Sequence, residues 1–371
     1  MIRPALRRDH VPGARGLAGA IAGPLLAVGI VTALAAVVYR NETMTEIVLL
    51  FGINAVMVVG FQVFAGNTGL VSFGHVAFMA IGAYATAIVS MDDLDKSIVL
   101  KDLPGWLADV HLGVVPSLIV GGGAAAAFAL VTGLALMRLS GAAASIATLG
   151  LLVITVNVLS QASDFTHGPR SIFGVPDHTN FTWVFAALAG AVLIRAAYPW
   201  SRAGLRARAN RDDVVAAESA GVASLRARQL PVVLSALHTG VGGGLYAMLL
   251  TAFSPASFTI PLVVVVLTMA IIGGVNSITG ALAGAAVVTV LNELLRRVEN
   301  GVDVFGLHLK TATGMSGAVL GIALILMLRW RPAGLLSAFE LQLEGRGDRP
   351  AEVPTVAPSA SPEGTHAGQR V

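Results

Sequence analysis

Residues 230–292 read LPVVLSALHTGVGGGLYAMLLTAFSPASFTIPLVVVVLTMAIIGGVNSITGALAGAAVVTVLN, a stretch of 63 residues without Asp, Glu, Lys or Arg. No soluble fold needs such a run. A bilayer does, because a charge at its centre costs about 2.5–3.5 kcal/mol even on the lenient insertion scale. One helical crossing takes about 20 residues, so the run crosses more than once. Ser254-Pro255 and Gly273-Gly274-Val275-Asn276 are turn candidates. They divide it into predicted spans near 230–253, 261–272 and 278–295, the middle one short and open to being broken.

Working outward, the same pattern recurs. Uncharged or nearly uncharged spans are predicted at 17–39, 48–64, 70–91, 114–137, 140–159, 181–200 and 311–328. About ten spans result, and the chain is expected to be an all-α, polytopic membrane protein. Only 12% of its residues are charged, against roughly 25% in a soluble domain. The apolar run at 17–39 is too long for a signal peptide, whose core is about 7–15 residues, so it is read as a retained first span. There is no cysteine, which excludes disulfides and thiolate chemistry. The pI is about 9.6, but the cations are spread over short loops and form no nucleic-acid patch. Only three of 24 basic residues are lysine. No long-period repeat is evident, although glycine-interrupted segments at 66–82 and 273–284 fall in the two halves.

Immediately before the opening stretch lies a charged island, residues 201–228, SRAGLRARANRDDVVAAESAGVASLRAR. It is a water-exposed segment between two membrane blocks. With the N-terminus inside, Arg3, Arg7, Arg8, Arg15, Arg138, the island, Arg329 and Arg331 all fall on one side. That bias makes the island and both termini cytoplasmic. Residues 1–16 form a cytoplasmic lead, 17–338 the membrane domain, and the Pro/Ala/Ser-rich residues 339–371 a disordered cytoplasmic tail.

Within the island, Asn210-Arg211-Asp212-Asp213 is read as a helix start. Asn210 is the expected N-cap, with Asp213 complementing the free amides from the third position. The helix is predicted over 211–220, ending at Gly221 in a left-handed cap. Ala216, Ala217 and Ala220 give it a small-residue face. Such a short helix is marginal alone. It packs on its own bundle, or it docks into a soluble partner with Arg206, Arg211, Asp212 and Asp213 fixing its orientation.

Small and polar residues inside the spans are candidates for a solute pathway. Gly66, Gly69, Ser72 and Gly74 allow close helix packing, or mark a broken helix whose amides meet a substrate carboxylate. His75 is an ionisable residue within a span, read either as a neutral partner of a neighbouring helix or as a substrate contact. Tyr84 is placed at an interface or along the pathway. His238 is read as packing with one interhelical hydrogen bond. Gly240/Gly244 and Gly280/Gly284 are helix contacts, internal or with a sister subunit. The histidines show no metal spacing.

Taken together, several segments resemble one family in order. GNTGLVSFGHVAFMAIGAY (66–84), SGAAASIATLG (140–150), THGPRSIFGVP (166–176), RAGLRARANRDDVVAAESAGV (202–222), LSALHTGVGGGLYA (234–247), SPASF (254–258) and IIGGVNSITGALAGA (271–285) are similar to branched-chain amino acid ABC transporter permeases of the LivM type. The resemblance covers roughly residues 45–330. It departs from the family pattern at Asn67, Asn210, Val215 and His238, where Gln, an apolar residue, an acid and a small apolar residue are usual. It implies that the island is the segment coupling the membrane domain to an ATPase. It also implies two cytoplasmic ATP-binding subunits that hold ATP and Mg, a second permease subunit of the LivH type, and an extracytoplasmic solute-binding protein. The expected location is a bacterial inner membrane. The chain itself has no phosphate cradle, since none of Lys96, Lys101 and Lys310 follows a glycine. It is therefore expected to be no enzyme and to hold no cofactor. A urea or short-amide importer permease is the alternative cargo reading. A stand-alone channel or ion-coupled carrier is disfavoured by the island and by the scarcity of acids within spans.

Overall fold

The computed structural model describes residues 14–38, 42–100, 103–300, 302–304, 307–309 and 314–330. The expected lead at 1–16 lies mostly outside these residues, and the expected tail at 339–371 lies wholly outside them. Ala14–Val38 forms α1 and Glu42–Thr68 forms α2. After a break at 69–74, His75–Ser90 forms α3. The following connection, read from sequence as a polar loop, carries two short helices, α4 (Asp93–Val99) and α5 (Gly105–Ala108). Lys96 pins them together, donating to the carbonyls of Ala108 and Val110. Burial pulls this ammonium below the ordinary lysine pKa, and Asp93, Asp109 and Asp92 pull the other way.

Next come α6 (Val114–Leu136), α7 (Gly141–Gln161), the single turn α8 (Ser163–Thr166) and α9 (Phe181–Ala197). Asn180 caps α9 by accepting from the Trp183 N–H at 3.1 Å. A 3-10 turn, Tyr198–Trp200, leads into α10 (Arg202–Asp212) and α11 (Val214–Ser219). The chain continues through α12 (Ser224–Leu250), α13 (Ile260–Gly273), α14 (Ile278–Asn300) and α15 (Met315–Trp330). α14 outruns its predicted end because Glu293 pairs with Arg296 and Arg297, each at 2.9 Å and one turn on. Between α14 and α15, Val302–Val304 (β1) and Leu307–Leu309 (β2) pair antiparallel. The body is all-α, as expected, and this small hairpin is the departure among the described residues.

Among the described residues, six helices are long and apolar enough to cross a membrane and four shorter ones are apolar. Together they coincide with the predicted spans. Of the shorter ones, α3 and α13 have 16 and 14 residues. At 1.5 Å per residue they measure about 24 Å and 21 Å, less than the roughly 30 Å hydrocarbon core.

α12 is the central post, packed against α2, α3 and α6. Its predecessors in sequence meet it through glycine. A Cβ on Gly82 of α3 would overlap the Gly240 carbonyl, and one on Gly243 would overlap the Met79 carbonyl. Lipid tails are as apolar as leucine, so such backbone contact is what holds membrane helices together. The glycine pairs noted in the sequence thus resolve as contacts within the chain. Gly240 and Gly244 face α6 and Thr86, while Gly280 and Gly284 face Gly273 and Met269 of α13.

Candidate functional site

Two interruptions of the helical backbone face each other at the island end of the bundle. The first is the 69–74 break between α2 and α3; the second is residues 274–277 between α13 and α14. Gln62, fully buried on α2, donates to the Gly274 carbonyl at 2.9 Å and the Ser277 carbonyl at 3.0 Å. The Val275 carbonyl would lie 3.3 Å from a Cβ on Gly66, so the absence of a side chain lets the two interruptions approach.

Irregular backbone at membrane depth survives only if its polar groups find partners. In the first break they find hydroxyls. Leu70 N–H donates to Thr68 Oγ1 at 3.3 Å and Gly74 N–H to Ser72 Oγ at 3.2 Å. From α7, Thr148 Oγ1 accepts the Phe73 N–H at 3.1 Å, and Ser145 Oγ donates to the Val71 carbonyl at 2.7 Å. The 140–150 motif therefore serves the 66–84 motif. Replacing Thr148 by its near-isostere valine strands the Phe73 N–H, a penalty of about 1–3 kcal/mol. Thr148→Val is expected to melt several degrees lower in a thermal denaturation of the purified protein, and an unchanged midpoint would remove the hydroxyl from this role.

The island does not form the single helix predicted. Ser201 caps α10, accepting from Gly204 N–H at 3.0 Å. α10 runs through Asn210, so Asn210 is no N-cap. It is buried and donates to Ser224 Oγ at 2.7 Å while accepting from Arg228 Nε at 2.9 Å. Buried Gly204, Ala207 and Asn210, spaced by three, form the face that packs inward. Asp213 breaks the chain between the helices and is itself the N-cap of α11, accepting from Ala216 N–H at 3.0 Å. Gly221 does adopt the left-handed conformation, φ 82°, and closes α11 with Val222 N–H bound to the Ala217 carbonyl at 2.9 Å. Ala217 is buried, whereas Ala216, Ala220 and the apolar Val215 face outward. Arg206 and Asp212 are exposed. The last island residues, 224–228, belong to α12.

Three arginines close this end by binding carbonyls that helices leave without partners. Arg211 Nη1 donates to the Gly66 carbonyl in the last turn of α2 at 2.6 Å. Arg228 Nη1 donates to Leu139, just past α6, at 2.9 Å. Arg195, in the last turn of α9, donates through Nη2 to Asn276 at 3.4 Å. Each guanidinium sits at the negative end of a helix dipole or in the turn that follows one. The stem of Arg211 also covers Gly69, whose φ is 70°.

The structure gathers Gly69, Ser72, Gly74 and His75 at the first break and places Tyr84 apart from them. Ser235 Oγ lies 2.7 Å from the Gly60 carbonyl and 2.7 Å from His75 Nε2, so His75 and Ser235 bridge α3, α12 and α2 through hydrogen bonds. Phe61, Phe64 and Phe78 surround its ring at 4.9, 5.5 and 5.8 Å. Tyr84 is buried at the opposite end against Phe253, with ring centroids 4.9 Å apart, and Phe258. There Ile172 and Phe253 exchange backbone hydrogen bonds at 2.8 and 3.0 Å, joining the 166–176 motif to the turn after α12. His238 packs against Gly60 as expected, but its hydrogen bond goes to Leu234 on its own helix at 2.6 Å and is not interhelical.

Gln62, Ser145, Thr148, Arg195, Arg228 and Ser235 carry this junction and were not singled out as site residues from the sequence. Gln62 and Arg195 carry a visible signal, as polar residues within largely apolar helices, whereas the other four lie on helices that hold several polar residues.

Comparison with known proteins follows the same outline. The family model described as branched-chain amino acid transport system / permease component matches residues 43–328. The high-affinity branched-chain amino acid transport system permease protein LivM of Salmonella typhimurium is 27% identical over 339 residues, covering 81% of this chain and 70% of the relative. Its namesake in Escherichia coli gives the same identity and coverage. No solved structure gives a significant match.

Proposed function

The chain belongs to the branched-chain amino acid transport permease family and is a membrane-spanning permease subunit of an ABC importer; from that premise we propose that it carries branched-chain or closely related amino acids. In this reading an extracytoplasmic solute-binding protein delivers the cargo. Two ATP-binding subunits, holding ATP and Mg, drive transport from the cytoplasm. The island and both termini face that side, in keeping with the arginine bias. The observation that carries the reading is the link from island to membrane interior. Arg211 on α10 binds Gly66 at 2.6 Å, next to the 69–74 break, so a push on the island reaches the place where the membrane helices are interrupted. The exposed face of α10–α11, with Arg206, Asp212, Val215 and Ala216, is then the docking surface for the ATPase. The break at Gly69, Ser72, Gly74 and His75 is the part of the pathway that moves.

A second permease subunit, of the LivH type, fits an oddity of α7. This helix exposes Ile146, Val153, Ile154 and Val158, and among them Asn157, whose amide donates to Val153 of its own helix at 2.8 Å. An amide on an exposed membrane face is better matched to a protein or aqueous neighbour than to lipid.

The test is reconstitution in vesicles. Uphill uptake of leucine, isoleucine or valine is expected only when the chain is combined with its ATP-binding subunits, a second permease subunit and binding protein. Uphill movement by this chain alone would overturn the reading, and uptake of urea in place of leucine would reassign the cargo. Asp213→Ala removes the α11 cap, worth about 1 kcal/mol, and is expected to lower uptake about fivefold with the chain still in the membrane. Uptake at the unmutated level would take the docking role away from α11.

A further inference from the structure

The last turns of α2 are held on two sides. On one side Arg211 of the island donates to the Gly66 carbonyl at 2.6 Å. On the other, the amide nitrogen of fully buried Gln62 grips the turn that joins α13 to α14, through the Gly274 carbonyl at 2.9 Å and the Ser277 carbonyl at 3.0 Å. Gln62 and Gly66 are one helical turn apart and share a face of α2. That face touches the α13–α14 turn directly. A Cβ on Gly66 would lie 3.3 Å from the Val275 carbonyl and 3.6 Å from Asn276 Oδ1.

The gripped turn cannot move by itself. On either side of it α13 and α14 meet backbone to backbone. A Cβ on Gly280 would overlap the Gly273 carbonyl, and one on Gly284 would overlap the Met269 carbonyl. Close glycine contact of this kind binds membrane helices into one body. A displacement of residues 274–277 therefore carries the whole α13–α14 hairpin. The Gln62 oxygen has no hydrogen-bond partner among the described residues, so the bonds of this buried amide all go to the turn. An amide at membrane depth is costly, and its retention there points to use.

We propose that Gln62 is the positioning residue that passes movement of the island, arriving at Gly66 through Arg211, on to the α13–α14 hairpin. The island then drives two parts of the bundle in concert, the 69–74 break and the hairpin. This rests on the coupling role given to the island above and adds the second element that it moves.

The test is a double-mutant cycle, read first by hydrogen exchange of the full chain in detergent. Arg211→Ala is expected to speed exchange of residues 69–74 by about tenfold, the worth of one charge-assisted hydrogen bond, and to speed exchange of residues 274–277 as well. With Gln62→Leu already present, Arg211→Ala is expected to act on 69–74 alone. Gln62→Asn, which keeps the amide but falls one methylene short, is expected to give the same separation and serves if Gln62→Leu does not fold. Asn54→Leu is the matched control. It also removes a hydrogen bond from α2 to α14, to Thr289 at 2.9 Å, but about 12 Å farther along α2, and is expected to leave the link intact. The proposal is overturned if Arg211→Ala never alters 274–277, or if Asn54→Leu breaks the link equally. It is also overturned if the effect persists with Gln62 replaced, which would leave the link to Arg195 and its 3.4 Å bond to Asn276.

A second arm uses the assembled transporter. Gln62→Leu is expected to lower leucine uptake per ATP hydrolysed about fivefold to thirtyfold, the worth of one to two neutral hydrogen bonds. The double variant with Arg211→Ala is expected to be no worse than Arg211→Ala alone. An equal fall in uptake and hydrolysis would reduce Gln62 to a structural part and overturn the proposal. Absence of uptake by the unmutated assembly would instead count against the transport reading, and the exchange arm, which needs no transport, would still decide the link.

Discussion

Replacing Arg211 by alanine is expected to lower solute uptake by about 10-fold to 100-fold while the chain still inserts and folds. The guanidinium holds the Gly66 carbonyl at 2.6 Å, a carbonyl that α2 cannot satisfy itself. Hydrogen bonds to charged groups contribute about 1.5–3 kcal/mol, and each 1.36 kcal/mol on a rate-limiting step is tenfold. The folded body depends little on this bond, because Arg211 is at the surface end of α10 and the bundle packs elsewhere. The informative readout is therefore the ratio of leucine taken up to ATP hydrolysed by the assembled transporter. A severed link lets hydrolysis continue and uptake fall. A proportional fall in both would place Arg211 in ATPase docking, and no change in either would refute the link altogether. Gly69→Ala attacks the same joint from the other side. Its Cβ would stand 2.6 Å from Arg211 Cγ at a φ of 70°, which non-glycine residues rarely adopt. It is expected to show the same uncoupled ratio.

The second large effect is on folding. Gly243→Val places a side chain inside the Met79 carbonyl, where α12 and α3 touch backbone to backbone. A rotamer change cannot relieve that overlap, so the helices must separate. Overpacking a tight core costs about 1–3 kcal/mol when side chains can yield, and more is expected where they cannot. Little monodisperse protein should be recovered from membranes by size-exclusion chromatography. Gly123→Ala in α6 is the matched control, since nothing lies within 4 Å of its Cβ position. It is expected to leave recovery unchanged or slightly improved, because alanine favours helix over glycine. Equal recovery of both variants would mean that the α3–α12 contact is not what holds the bundle.

Much of this architecture was legible in the sequence because a bilayer imposes a simple rule on composition. The charge-free 230–292 run and its turn residues located α12, α13 and α14 within a few residues. The island was harder. Asn210 has the composition of a cap, but Ser201 starts the helix earlier and a tertiary contact with Ser224 and Arg228 takes Asn210 inside it. Asp213 was expected one turn into a helix and instead separates two. Local propensity could not see the first outcome, which depends on α12 lying alongside, whereas the second is a local cap by Asp213 on Ala216. Likewise Thr148 and Ser145 read as ordinary small residues of a span. Their significance comes only from the broken backbone of residues 69–74, distant in sequence. The role of the island arginines was half visible. Their charge marked the aqueous side, while their carbonyl targets depended on where helices end in space.

The hydroxyl-held stretch between α2 and α3 has an energetic consequence. Within a helix, bending breaks several rungs of the backbone ladder together. Here the rungs are already missing, and the amides hang from side chains that can rotate and follow. Swinging one rod against the next at this place need strain only a handful of individually weak bonds. Each is worth about 1 kcal/mol, a small fraction of what would be lost by melting a turn of α12. The molecule thus keeps a stiff frame and a soft joint within the same few ångströms.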